Sequence, residues 1–206
     1  MEDNPYTKLS KEFEGVNDKQ KESYEWYREQ AAEVSKKDID QKDIINERKH
    51  IPKISRPNLQ GKLFMFYYLP QNRNKMKYYD IYPVVFPIKI LDDGFLGLNL
   101  HYLPVDLRAN LMDSLYMLTN SPNMESDNTR LIKMTYEKLQ SQRRFTAFYP
   151  CIKKYLHKRI RSKVAYIPPD EWELALFLPT HQFRKRSEAT VWLDSRKEVR
   201  RRLSRR

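Results

Sequence analysis

The sequence predicts an α+β protein, a small antiparallel β-barrel decorated by several helices, with a helical N-terminal arm. Three observations predict it. Large apolar residues concentrate between about residues 61 and 182, after a charged first segment. Three of the four glycines, Gly61, Gly94 and Gly97, fall in one stretch of short aromatic and β-branched runs, as a strongly bent sheet requires. Beyond Pro104 the apolar spacing changes from strand-like to helix-like.

The elements follow in order. Residues 1–58 read as a polar arm. Tyr24, Tyr27, Ala31 and Val34 recur at helical spacing, which predicts a helix over 18–35 with Asn17 or Asp18 as its cap. Residues 36–58 read as a polar linker ending in Ile51-Pro52 and Arg56-Pro57. A core domain is expected over 59–182. Lys62 to Tyr68 is aromatic on both faces, the pattern of a strand covered from two sides. Gln71 to Lys77 is a polar, basic loop of hairpin type. Val84 to Leu91 is a second strand that Pro87 marks as an edge or a bulge. Asp92-Asp93-Gly94 is a tight turn, and Phe95 to Tyr102 a third strand. Strands this short and bent leave an SH3-like barrel as one form the sheet could take.

Helices are expected next. Pro104 starts one, carrying Leu107, Leu111, Leu115 and Leu118 on one face. A turn-rich loop over 121–128 precedes a helix over 129–140. Pro150 opens a third helix, with Ile152, Tyr155, Leu156 and Ile160 inward. Lys163 to Ile167 is a short strand, and Asp170 to Leu178 a short apolar helix. Residues 183–206 form a basic C-terminal helix, capped by Ser187, with Trp192, Ser195, Val199 and Leu203 as its apolar stripe.

The net charge of +12 is carried by the last third. Lys and Arg number 12 against 13 Asp and Glu in residues 1–60, 9 against 8 in 61–140, and 18 against 6 in 141–206. A polyanion would meet one end of the molecule. Nucleic acid is the default partner of such an end, since cations that neutralise phosphates release condensed counterions. An acidic protein or a membrane surface would also answer to it. No apolar run is long enough for a membrane-spanning helix, and the acidic Met1-Glu2-Asp3 start has no apolar signal region, so an intracellular, soluble protein is expected. The single cysteine, Cys151, excludes an internal disulfide and a multi-cysteine zinc site.

Two cation clusters carry the candidate chemistry. The expected helix after Pro150 would array Lys153, Lys154, His157, Lys158, Arg159 and Arg161 around its apolar stripe. The last helix offers Arg196, Lys197, Arg200, Arg201, Arg202, Arg205 and Arg206, with Arg184, Lys185 and Arg186 just before it. Arginine suits phosphate through its bidentate fork, and phosphate contacts fix position without reading sequence. Phe145, Phe148, Tyr149 and Tyr155 have the ring faces to stack on unpaired bases, although core packing accounts for them more simply. Asn99 and His101 share a strand face; a structural hydrogen-bonding role is the simpler reading, with phosphate binding or acid–base chemistry the alternative. Asp80, Asp92 and Asp93 raise a divalent metal, but Asp92-Asp93-Gly94 is explained as a turn. Cys151 has no recognisable catalytic partner, and no phosphate-cradling glycine loop, zinc spacing or dinucleotide motif occurs. The chain does not read as an enzyme.

Several strings resemble a known family. They are Gly61 to Tyr68 (GKLFMFYY), Tyr78 to Pro83 (YYDIYP), Gly94 to Pro104 (GFLGLNLHYLP), Pro150 to Leu156 (PCIKKYL) and Trp172 to Pro179 (WELALFLP). Together they resemble the virion and DNA-packaging proteins of T-even-like tailed bacteriophages, over roughly residues 24–200, and within these the proteins that protect DNA ends. The resemblance implies a non-catalytic, sequence-tolerant DNA-binding virion protein that caps the ends of the packaged genome. Its implied partners are double-stranded DNA at genome ends and phage portal, neck or tail proteins, with no membrane, small-molecule substrate, metal or cofactor. Its implied location is the virion, after the host cytoplasm. The alternative is a structural baseplate, neck or tail component whose basic end meets acidic proteins.

Overall fold

The computed structural model describes residues 41–51, 53–54, 62–104, 108, 148–168, 172, 175 and 180–204. The helices expected over 18–35 and over 129–140 lie outside the described residues, as do the helix from Pro104 except Pro104 and Arg108, the loop over 121–128, Phe145, Arg205 and Arg206, and all of 170–178 except Trp172 and Ala175.

Helix and antiparallel sheet are both present, as an α+β fold requires. A short helix, α1 (Gln41–Glu47), leads into strand β1 (His50–Ile51). Then follow β2 (Leu63–Met65), β3 (Tyr79–Asp80), β4 (Val84–Leu91) and β5 (Gly94–Asn99), with a 3-10 turn at Leu100–Tyr102. After these come β6 (Ile152–Leu156), a second 3-10 turn (His157–Arg159), β7 (Val164–Ile167), β8 (Phe183–Arg184) and α2 (Glu188–Leu203). The main sheet has the order β1-β7-β2-β4-β5-β6, antiparallel at every described pairing, and β3 pairs with β8 separately. A single bridge from Tyr68 to Ile160 draws the chain after β2 toward the chain after β6. The described ladder is an open six-stranded sheet, not a ring.

Strand alternation explains how this sheet is filled. Leu63 and Met65 point to one face, with Val84, Phe86, Ile88, Leu98, Ala165 and Ile167. Phe64 points to the other, where Phe66, Tyr68, Val85, Phe95, Tyr155 and Val164 pack. That second cluster is aromatic, with the Phe66 ring meeting Tyr68, Phe95 and Tyr155 edge-on at 5.4–6.2 Å. The reading of Lys62 to Tyr68 as a strand buried on both sides holds for Leu63–Met65; the strand ends there, although Phe66 and Tyr68 beyond it are also buried.

The β4–β5 hairpin forms as read, turning through Asp92-Asp93 with Leu91 opposite Gly94. The register shifts between Pro87 and Lys89, so the proline sits at a bulge inside the sheet and not at its edge. A Cβ on Gly94 would lie 1.9 Å from the Tyr155 carbonyl oxygen, so only glycine lets β6 approach this closely.

Three expectations are corrected. The polar linker over 36–58 is part of the fold from residue 41: β1 pairs with β7, and Ile44, Ile45 and Ile54 are buried. The helix expected from Pro150 is strand β6, hydrogen-bonded along β5. Ile152, Tyr155 and Leu156 have helical spacing, but the open edge of β5 and the aromatic pocket that takes Tyr155 outweigh that local signal. The third strand stops at Asn99, whose side chain accepts from the His101 amide and starts a 3-10 turn.

Candidate nucleic-acid interface

Helix α2 begins after Ser187, which holds the capping position with extended backbone while its hydroxyl meets that of Thr190. Its inner arc is pinned to the turn after β5. Ser195 Oγ donates to the Tyr102 carbonyl at 2.7 Å, and Trp192 Nε1 to the His101 carbonyl at 2.9 Å. Val191 and Ser195 are buried, whereas Leu203 is exposed, so the stripe begins one residue earlier than Trp192 and ends before Leu203.

Fixing that arc aims the opposite one outward. Arg196, Lys197, Arg200 and Arg201 are all exposed and, at 100° per residue, fan over about 140°. Arg202 belongs elsewhere: its guanidinium lies 3.4 Å from the Tyr149 ring centroid and bonds Glu198 at 2.9 Å. Arg201 is 3.6 Å from the same carboxylate, a loose surface pair.

Just before α2, Arg184, Lys185 and Arg186 are exposed. Lys185 adopts a left-handed backbone (φ 74°) and donates to the carbonyls of Asn74 and Met76, both at 2.9 Å. It thus staples the loop of residues 71–77, which brings Arg73, Lys75 and Lys77 alongside. Lys77 in turn bonds Asp194 of α2 at 2.5 Å. Lys77 escaped the sequence reading as a site residue; the signal was the alternation of Arg73, Lys75 and Lys77 in a loop without carboxylates.

The basic helix expected at 153–161 does not exist, and its cations separate. As strand neighbours, Lys153 and Lys154 point to opposite sides of β6. Lys153 reaches toward α2, its Nζ 3.9 Å above the Tyr102 ring, and burial pushes its pKa down. Lys154 reaches the β4–β5 hairpin and bonds Asp93 at 2.9 Å. Lys158, Arg159 and Arg161 lie on or just past the 3-10 turn, with Lys158 also facing Asp93 and Arg159 half-buried. The expected single cationic surface is therefore two: one on the α2 side, one by the hairpin.

On the α2 side a cavity of about 360 Å³ opens between the loop, β6 and the helix. Lys77, Lys153, Lys197 and Arg201 line it, with Tyr78 and Tyr102 and the carboxylates of Asp194 and Glu198. Burial, then the adjacent Asp194, pushes the Tyr78 phenol up to about 12, so it stays neutral. Of the aromatic residues suggested for stacking, Phe148 and Tyr155 are core, as the simpler reading had it, and Tyr149 lies under Arg202.

Asp80 and His101 do meet, but in the interior. Their side chains are 1% and 0% exposed, and His101 Nδ1 lies 2.7 Å from Asp80 Oδ2. Burial, opposed by Asp80, pushes the imidazole down to about 4, so the neutral ring donates from Nδ1 to Asp80 and accepts at Nε2 from Thr180 Oγ1, 3.1 Å away. Asp80 further accepts from Asn99 Nδ2 and from the amides of Tyr82 and Gln182. Its carboxyl sits below the usual range because His101, Asn99 and the Gln182 amide outweigh the effect of burial. Every polar atom of the pair has a protein partner, so this is a clamp tying β3, the turn after β5 and the chain before β8. The structural role expected for His101 holds, although its partners are Asp80 and Thr180 and not a helix end. Cys151 is likewise buried, donating to the Phe148 carbonyl, and burial raises its thiol to about 12. Among the described residues, no group of three or more His, Cys, Asp or Glu could hold a metal ion, and no helix is long and apolar enough to cross a membrane.

No curated protein and no solved structure matches the chain. A protein family does: residues 2–195 match the family described as the phage T4 terminal DNA protecting protein. The match takes in the sheet and the first half of α2 as far as Ser195, with Arg196, Lys197, Arg200 and Arg201 beyond it, and the chain belongs to this family of phage proteins that protect DNA termini.

Proposed function

We propose that this protein grips the end of phage double-stranded DNA through phosphate contacts, without catalysis and without reading base sequence, and thereby shields the terminus from exonucleases. The observation that carries the reading is the outward fan of Lys197, Arg200 and Arg201 on a helix whose opposite arc is hydrogen-bonded to His101 and Tyr102. Rigidly held cations contact a backbone that every sequence shares, which makes the grip tolerant of sequence. Arg184, Arg186 and Arg196 extend this surface. Lys154, Lys158, Arg159 and Arg161 form a second, weaker one, because Asp93 offsets part of it.

The sheet supplies the bulk that blocks an advancing nuclease, and we read it as an SH3-like sheet that stays open in its described part. Supporting that are the order β7-β2-β4-β5-β6, the 3-10 turn before the last of these strands in sequence, and the Tyr68–Ile160 bridge. The nearly neutral remainder of the chain is left for portal, neck or tail proteins within the virion. The test is an exonuclease-protection assay on end-labelled linear duplex. Protection at stoichiometric protein, lost in high salt, is the expected result. Undiminished digestion overturns the proposal, and cleavage by the protein itself would make it a nuclease.

A further inference from the structure

The cavity between the 71–77 loop, β6 and α2 has a charge that ordinary backbone phosphate does not match. Lys77, Lys153, Lys197 and Arg201 face it with Asp194 and Glu198, which leaves two positive charges in excess. Lys77 and Asp194 neutralise one another at 2.5 Å, and Arg201 is held only loosely by Glu198 at 3.6 Å. Lys153 has no carboxylate within ion-pair distance among the described residues; its ammonium lies over the face of Tyr102, and Glu198 acts on it only from beyond that distance. An ammonium so placed is short of an anion, since a half-buried charge keeps little water. At about 360 Å³ the space is at the low end of small-molecule sites, large enough for one nucleotide and too small for a duplex.

An internal phosphodiester carries one negative charge. A phosphomonoester carries close to two at neutral pH, since its second pKa is about 6. On a DNA molecule that group exists only at a strand terminus. We propose that this cavity is a terminal-phosphate pocket: Lys153, Lys197 and Arg201 bind the phosphomonoester of the last nucleotide, and Tyr78 lines the space its sugar and base occupy. The inference rests on the DNA-end reading above and adds what that reading lacks, a means of telling an end from the middle of a duplex. Lys197 and Arg201 stand where the outer arc of α2 meets the cavity and serve both contacts, whereas Lys153 lies only in the pocket and rewards only a free end.

The test compares three blunt duplexes of one sequence, bearing 5′-phosphate, 3′-phosphate or hydroxyl at both ends, by competition for the full chain. One of the phosphorylated forms should bind at least about tenfold tighter than the hydroxyl form, the gain from one charge-assisted contact of about 1.5 kcal/mol; which form does so identifies the strand polarity. Lys153→Met, which keeps the aliphatic stem over Tyr102, should abolish this preference while leaving binding to the hydroxyl duplex within about twofold. Lys153→Gln, which also removes the charge, gives the same readout if Lys153→Met does not fold. Equal affinity for all three duplexes, with salt-dependent binding intact, overturns the pocket and spares the DNA grip. Failure to bind any of the three overturns the DNA-end reading and the pocket with it. Preference unchanged in both variants also overturns the pocket.

Discussion

Replacing Lys197, Arg200 and Arg201 together by glutamine removes the centre of the outward fan on α2. Each side chain is exposed, and glutamine is as good a helix former as lysine or arginine to within a few tenths of a kcal/mol. The stability cost comes mainly from losing positive charge near the helix C-terminus, about 0.3–1 kcal/mol for each residue in the last turn. The fold should therefore persist, with a thermal midpoint lower by a few degrees. Binding should change far more. Each phosphate neutralised contributes about 0.9 to the slope of log K against log salt, so losing three contacts flattens the slope by about 2.7. Between 50 and 200 mM salt that difference amounts to about 40-fold: the unmodified protein loses about 40 times more affinity over this range than the variant does. Fluorescence anisotropy with a labelled blunt duplex at several salt concentrations measures both slopes. Parallel lines for the two proteins would refute the assignment of phosphate contacts to this helix. Arg202→Gln is the internal contrast, because stacking on Tyr149 and the bond to Glu198 predict lost stability with an unchanged slope.

The other predictions concern the scaffold. Asp80→Ala strands His101, Asn99 and two backbone amides in the interior and should cost about 3–5 kcal/mol in urea unfolding. His101, at about 4 in the folded protein against about 6.5 unfolded, contributes stability that is complete above about pH 6.5 and is lost as pH falls toward 4. The loss should reach about 3 kcal/mol, and urea unfolding across that range should show a much flatter profile for His101→Gln. Gly94→Ala drives a methyl group into the Tyr155 carbonyl and should destabilise the protein by about 1–3 kcal/mol or more, read as the drop in thermal midpoint. The Cys151 thiol, buried and pushed up to about 12, should react with a thiol reagent only at the rate of unfolding, so fast labelling of native protein would contradict its burial.

Where local chemistry is decisive, the elements could be read without the fold. The β4–β5 hairpin follows from Asp92-Asp93-Gly94, and the bulge from a proline that has no amide to donate. The C-terminal helix follows from Ser187 and an apolar spacing of three to four residues. Residues 152–156 could not be read this way. Ile152, Lys153, Lys154, Tyr155 and Leu156 suit a helix and a strand about equally, and the edge of β5, more than 50 residues earlier in the chain, decides the matter. The linker reading of residues 36–58 failed for the same kind of reason. Ile44, Ile45 and Ile54 are too sparse to announce a core, yet β7 gives β1 a partner and closes over them.

Composition and charge order along the chain were enough to place the excess of cations in the last third, because a cation count does not depend on fold. Which cations act together was settled only in three dimensions. Strand alternation separates Lys153 from Lys154 across β6, and a lysine with inverted backbone brings the basic 71–77 loop beside α2. Charge is a property of residues, whereas a binding surface is a property of distances, and distances between remote segments are set by packing.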